Sequence, residues 1–394
     1  MFLTNIEFPL IPVTIGMELT GFKINKVRLE ELKSILINKK EEIEKNYSTI
    51  NLNSPKQVKE FLIKQGYGQN LVTYLVSGQA QSTNKTILNH LATQTPIAKD
   101  ILEYREVSKL LSTYVMPMSL RDNWTGNFKQ CGTITGRYSS SKPNLQNIPN
   151  RTLMGQEIRK CLMAEEGHKL IISDLSQIEP RLYAFFSQDS KLKSIFTNNL
   201  DFHSTVTGSI FNKNLFTKEE RFVGKTVGLA TLYGARPKRL RETLFNYGVD
   251  LSLLKVSQIR NQILFTYKQA ANWAKHYEED CKIQGYVETL LKRQIPRVPG
   301  MNCVNTLIQG SCADIIKVCM LNLYKEGFSI IAQIHDEVVI SEPTLDDSNM
   351  IKQRSDLVKH VMETSVRLEE IPLIADTHVS ERWEKEEIKE AITV

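Results

Sequence analysis

The run from Ser329 to Ser341, SIIAQIHDEVVIS, sets strongly apolar residues on both sides of an acidic pair. Ile330, Ile331 and Ile334 precede the pair, and Val338, Val339 and Ile340 follow it. β-Branched residues at that density read as strand, and Asp336 and Glu337 sit where the chain would turn. The segment therefore demands a buried hairpin that carries carboxylates at its tip. A solvated turn is one reading of that pair, because Asp is a common turn residue. The other is that the carboxylates hold a cation such as a metal ion.

A second acid closes a second apolar strand. In HKLIISDLSQIEPR, Asp174 ends the run and Glu179 follows five residues later. A carboxylate at a buried strand end is expensive unless it is paired or bound to a cation. Two such acids, Asp174 and Asp336, suit joint coordination of Mg²⁺, which takes a few carboxylates together with phosphate oxygens. Glu179 has two readings, because Ser176 followed three residues later by Glu is also a capping box.

RFVGKTVGLATLYGARPKRLR carries six basic residues and no acid between Arg221 and Arg241. Arg221, Lys225, Leu229 and Tyr233 are spaced by four, so all four share one helical face. Two cations, an apolar side chain and an aromatic ring would match a nucleoside triphosphate laid along the helix. The alternative is a solvated basic face with Leu229 and Tyr233 in the core. The loop TGRYSSSKPNLQNIPNR offers Arg137, Arg151, hydroxyls and amides, which suit phosphate, sugar and minor-groove contacts. A generic polar loop is the competing reading.

The 394 residues suit roughly 2–3 domains or lobes. The net charge of +6 is compatible with a polyanionic partner. Six scattered cysteines without a C-x-x-C pair read as reduced thiols of an intracellular protein, not as a zinc site or disulfide frame. The amino terminus shows no signal-peptide pattern, and no uninterrupted apolar stretch approaches the ~20 residues that span a bilayer. KVRLEELKSILINKKEEIEKNY reads as an amphipathic helix with a stripe of Leu29, Leu32, Ile35 and Ile43. Ser54 and Pro55 read as the cap and first residue of another helix. SGQAQSTNK reads as a polar loop, PIAKDILEYREVSKLLSTYV as a long helix, residues 190 to 290 as mostly helical, and PLIADTHVS as a late strand.

Taken in order, TGRYSSSKPNLQNIP, SDLSQIEPR, RFVGKTVGLATLYG and QIHDEVV resemble the successive motifs of family A DNA polymerases, the bacterial DNA polymerase I type. The flanks NLNSPKQ, ILEYREVSKLLSTY and IQGSCADIIK are similar to that family's thumb and palm segments, and the resemblance runs from about Ile11 to Trp383. It implies an α+β right-hand fold with an antiparallel-sheet palm and helical fingers and thumb. The expected division is an amino-terminal segment joining the palm over 1–19, thumb over 20–95, palm over 96–190, fingers over 191–300 and palm again over 301–394. No 3′–5′ exonuclease domain is expected in this chain.

The resemblance also implies roles. Asp174 and Asp336 would bind two Mg²⁺, with Mn²⁺ able to substitute, and Glu337 would join them as a catalytic residue. One ion would activate the primer 3′-hydroxyl, and the other would stabilise the triphosphate and departing pyrophosphate. Arg221, Lys225, His203, Leu229, Tyr233, Gln177 and Glu179 would contact the nucleotide, Glu179 crowding the sugar 2′ position against ribonucleotides. Arg137, Asn144, Gln146, Asn147, Arg151, Arg181, Gln309 and His335 would contact DNA. The implied partners are primer–template DNA and dNTPs, in replication or repair. A cytoplasmic monomer is expected, with an organellar address left open. Leu175, Pro180, Leu229 and Met301 depart from the family pattern, where Tyr, Leu, an aromatic residue and Arg are expected. Pro180 bears on Glu179, because proline biases the preceding residue away from α geometry. Two other readings stay open. A single-subunit RNA polymerase is opposed by Glu179, and a non-catalytic DNA-binding relative is opposed by the intact Asp174 and Asp336.

Overall fold

The computed structural model describes residues 2–68, 83–149, 152–344 and 348–384. Arg151 and most of the SGQAQSTNK loop lie outside the described residues. The fold is α+β, and the chain divides into two compact units. The first comprises residues 1–26, 121–205 and 264–394, and the second comprises 27–120 and 206–263.

The first unit is built on a four-stranded antiparallel sheet in the order Ala375–Ser380, His168–Leu175, Glu337–Pro343, Ile330–Ile334. Leu170, Ile171, Ile172, Val338, Val339 and Ile340 are buried, so both central strands lack a solvent face. That explains their near-continuous apolar sequence, where a half-exposed strand would alternate. The register sets Asp174 opposite Glu337 on one side and Asp376 on the other. The Leu175 amide donates to the Asp336 carbonyl at 3.1 Å, closing the sheet end at which both aspartates sit. The Cys303–Lys325 helix is long and apolar enough to cross a membrane by length and composition, but 83% of its most apolar window is buried as core.

The second unit has its own core. Ile43, Leu52, Val58, Leu62, Ile87, Leu88, Leu91, Ala98, Ile101 and Tyr104 form one apolar cluster. Residues 96–120 therefore group with the helices before them, while residues 264–300 group with the sheet. Lys26–Asn46 is a helix, and Ser54 caps Pro55–Leu62 through the Gln57 amide. One detail of the stripe differs: Leu36 is buried and Ile35 is 54% exposed. At about 100° per residue, Leu36 falls within roughly 40° of Leu29, Leu32 and Ile43, whereas Ile35 stands at least about 60° from each.

Candidate active site

The hairpin turn is two residues long, with Glu337 pairing Ile334. His335 takes φ +57°, a region that such turns commonly give to glycine. Side chains from a distant loop hold this conformation. Gln146 Nε2 donates to the Gln333 carbonyl at 2.7 Å, and Gln146 Oε1 accepts the His335 amide at 2.9 Å. Gln333 Nε2 adds a bond to the His335 carbonyl. The outcome is an exposed imidazole at the tip and Asp336 directed to the end of the His168–Leu175 strand.

Asp336 keeps 24% of its side-chain surface, yet its Oδ1 is enclosed and has no hydrogen-bond partner. Burial pushes the carboxyl up to about 6; Arg137 opposes the rise and Glu179 adds to it. Arg137 Nη2 lies 3.8 Å from Asp336 Oδ1 and donates to Glu179 Oε1 at 2.7 Å. An enclosed anionic oxygen of this kind favours a cation beside it. Asp174, at the adjoining strand end, supplies a second hard carboxylate. Among the described residues, no group of three or more His, Cys, Asp and Glu side chains is placed to hold a metal. Carboxylates are the donor type that Mg²⁺ takes together with water or phosphate oxygens.

Glu337 behaves differently. It is buried at 7% exposure, and its Oε1 accepts Trp383 Nε1–H at 2.7 Å. Arg159 Nη1 stands 3.8 Å from the same oxygen.

Glu179 is not the acid of a capping box. The Ile178–Ser187 helix has Gln177 at its N-cap, with φ +53° and no side-chain cap bond. Pro180 falls in the first turn, where its missing N–H removes no intrahelical bond. Glu179 therefore stays helical and spends its carboxylate on Arg137. Gln177 reaches the other way: Nε2 donates to Asp201 Oδ2 at 3.0 Å, and Oε1 accepts the Phe202 amide at 3.0 Å. That arrangement fixes the start of the helix bearing half-buried His203. Leu175 is a buried strand residue at 3% exposure.

The loop bearing Arg137 is braced by Arg293, which sequence reasoning missed. Arg293 donates to Asp314 Oδ1 at 2.8 Å, to the Thr135 carbonyl at 2.7 Å and to the Gly310 carbonyl at 3.0 Å. Gly136 has φ +76°, and a Cβ there would fall 1.9 Å from Arg293 Nη1, so only glycine fits. Asn144 and Asn147 are exposed, and Gln309 is half-buried.

Arg181 does not match the DNA contact expected of it. It is 4% exposed, and its guanidinium donates to the Ser176 and Pro372 carbonyls and lies over Phe196. A buried, backbone-bonded guanidinium has no surface left for a phosphate.

In the second unit, Lys218–Leu232 is a helix opened by a capping box between Thr217 and Glu220. Val223, Val227 and Leu232 are buried, and Gly224 packs so tightly that a Cβ would meet Thr207 Oγ1 at 2.0 Å. The opposite stripe is accessible: Arg221 and Lys225 are exposed, and Leu229 and Tyr233 are half-buried. Leu229 and Tyr233 are thus neither fully buried nor fully exposed.

Residues 24–385 match the family model for DNA polymerase family A. The chain is 33% identical to DNA polymerase I of Caldicellulosiruptor bescii, over 96% of this chain and 47% of that protein. It is 31% identical to the thermostable DNA polymerase I of Thermus aquaticus, over 96% of this chain and 48% of that protein. The chain thus spans about half the length of the curated relatives it matches. Among solved structures, it is similar to the POL domain of Pol1 from M. smegmatis in complex with DNA primer-template and dNTP. That match has TM-score 0.84 and 26% identity, and it covers 97% of this chain and 70% of that one.

Proposed function

The chain belongs to DNA polymerase family A, and on that premise we propose that it adds deoxynucleotides to a primer 3′ end under the direction of a template strand. The observation that carries this reading is the enclosed Asp336 Oδ1, which accepts no hydrogen bond and has Arg137 no nearer than 3.8 Å, beside the strand end that bears Asp174. Asp174 and Asp336 would hold two Mg²⁺, or Mn²⁺ in their place. When bound, the ions supply positive charge that favours the primer alkoxide and the departing pyrophosphate.

The remaining steps fall to the chain's own side chains. Arg221 and Lys225, exposed on one helix, offer charge to the triphosphate, and His203 offers a further donor. Leu229 and Tyr233 continue that stripe as an apolar and aromatic rest for the base. Glu179, held by Arg137 at 2.7 Å, stands as the group that excludes a ribose 2′-hydroxyl. Asn144, Asn147, Gln309 and His335 offer donors and acceptors for minor-groove edges. Gln146 has its amide committed to the hairpin turn, so its role is to hold that turn. Glu337 acts from behind Asp336 as a fixed negative charge. The sheet would be the palm and the helical segments the fingers and thumb, in a monomer that extends primers without 3′–5′ excision.

Extension of a primed template with Mg²⁺ and either dNTPs or rNTPs tests the proposal. Asp174→Ala should abolish extension while DNA binding survives, since affinity comes from many basic contacts. Extension with rNTPs in preference would refute the DNA polymerase reading. Steady shortening of a labelled mismatched 3′ end, without nucleotides, would refute the absence of excision.

A further inference from the structure

We infer that Trp383 and Arg159 are positioning residues for the acidic end of the sheet, acting through Glu337 to set how Asp336 and Asp174 receive a divalent cation. The inference rests on the polymerase reading for its consequence in catalysis, and on the geometry alone for its consequence in metal binding.

Glu337 is bonded to Asp336 through one peptide unit and pairs directly with Asp174 across the strands. Directly opposed residues in an antiparallel pair place their side chains on the same face, so Glu337 and Asp174 share a face. Whatever fixes the Glu337 side chain fixes the first residue after the turn, and with it the direction of Asp336. Three contacts converge there. The Trp383 indole N–H donates to Glu337 Oε1 at 2.7 Å. The Arg159 guanidinium lies 3.9 Å above the Trp383 ring, with Nη1 3.8 Å from Glu337 Oε1. Trp383 is itself fully buried, stacked on Phe22 at 5.0 Å between ring centroids, and anchored by its amide to the Leu162 carbonyl at 2.8 Å.

The arrangement is more than filler. A buried carboxylate tolerates its charge only when donors and a cation face it, and Glu337 has one of each, the Trp383 indole N–H and the Arg159 guanidinium. Arg159 keeps one nitrogen, Nε, buried and without a hydrogen bond. The cation is therefore placed for the ring and the carboxylate, not for full satisfaction of its own donors. Without the indole donor, Glu337 is free to swing and the hairpin end loses its anchor on that side, leaving Gln146 and the Leu175 amide to hold Asp336.

The test is a double-mutant cycle on the full chain, read by Mn²⁺ titration monitored by electron paramagnetic resonance and by the Mg²⁺ concentration for half-maximal extension. Trp383→Phe keeps a buried ring and removes the donor. It should weaken Mn²⁺ binding about tenfold and raise the Mg²⁺ requirement by a similar factor, the range of a hydrogen bond to a charged group. In a Glu337→Ala background, the same change should alter either quantity less than about twofold, because the partner is already gone. Should Trp383→Phe not fold, Arg159→Lys, which keeps the charge and loses the flat stack, runs the same cycle with an expected loss of about threefold. Unchanged Mn²⁺ affinity in a folded variant, or an equal loss with and without Glu337, would overturn the inference. So would a wild-type chain that binds no Mn²⁺. A wild-type chain that binds Mn²⁺ but extends no primer refutes the polymerase reading instead, and the Mn²⁺ cycle still decides the positioning role.

Discussion

Asp336→Asn should abolish extension and, in the absence of metal, make the protein more stable at neutral pH. The Asp336 carboxyl is pushed up to about 6 by burial, against about 3.9 in an unfolded chain. The folded protein thus holds this proton more tightly than the unfolded chain does. Below about pH 4 the group is protonated in both states and opposes nothing. As pH rises from about 4 through about 6 the unfolded state gains, and the penalty is complete above about pH 7. A gap of about two pH units is worth about 3 kcal/mol, and the 24% of side-chain surface still in solvent lowers a working figure to about 2 kcal/mol. Asparagine carries no charge and avoids that penalty. At ~2–4 °C per kcal/mol for a domain of this size, the variant should melt about 4–8 °C above wild type in EDTA at pH 7.5. The gap should shrink to about a third of that by pH 4.5 and close below about pH 3.5. Adding Mg²⁺ should raise the wild-type melting temperature and leave the variant unmoved, since a ligand stabilises only the form it binds. A variant that melts at or below wild type at pH 7.5, or a gap of equal size at pH 4.5, would refute the enclosed-carboxylate argument.

Arg293→Ala should destabilise the sheet unit by about 3–5 kcal/mol, because it leaves the fully buried Asp314 without its guanidinium; a melting temperature within about 2 °C of wild type would contradict that. Glu179→Ala should raise ribonucleotide incorporation relative to dNTP in single-nucleotide extension, and unchanged discrimination would place the sugar gate elsewhere. On the proposed placement of the nucleotide along this stripe, Leu229→Tyr should raise the ddNTP/dNTP incorporation ratio, since it adds a hydroxyl at a half-buried position that would face the sugar. An unchanged ratio together with a lowered melting temperature would mean that the larger side chain overpacks the helix instead, at about 1–3 kcal/mol.

The elements themselves were legible in the sequence because each is dictated by residues close together in the chain. The apolar density of 330–340 and 168–175 produced the hairpin and the strand that pairs with it. The i, i+4 spacing of Arg221, Lys225, Leu229 and Tyr233 produced an accessible stripe, and Ser54-Pro55 opened the helix that followed. Where local pattern misled, the error was one of angle, as with Leu36 in place of Ile35.

The choice of partner for each polar side chain was decided by tertiary structure alone. Glu179 meets Arg137 across 42 positions of chain, Gln146 reaches the hairpin across 189, and Arg293 grips the Thr135 carbonyl across 158. Trp383 meets Glu337 across 46. Periodicity and capping rules act over one or two turns, so they could place Asp174 and Asp336 at strand ends. They could not show that Glu337 is held inward, that Arg181 is spent on backbone carbonyls, or that Gln146 braces the turn. Those outcomes follow from which donors and acceptors the folded chain brings within about 3 Å of one another, and from the high cost of leaving any of them buried and unpaired.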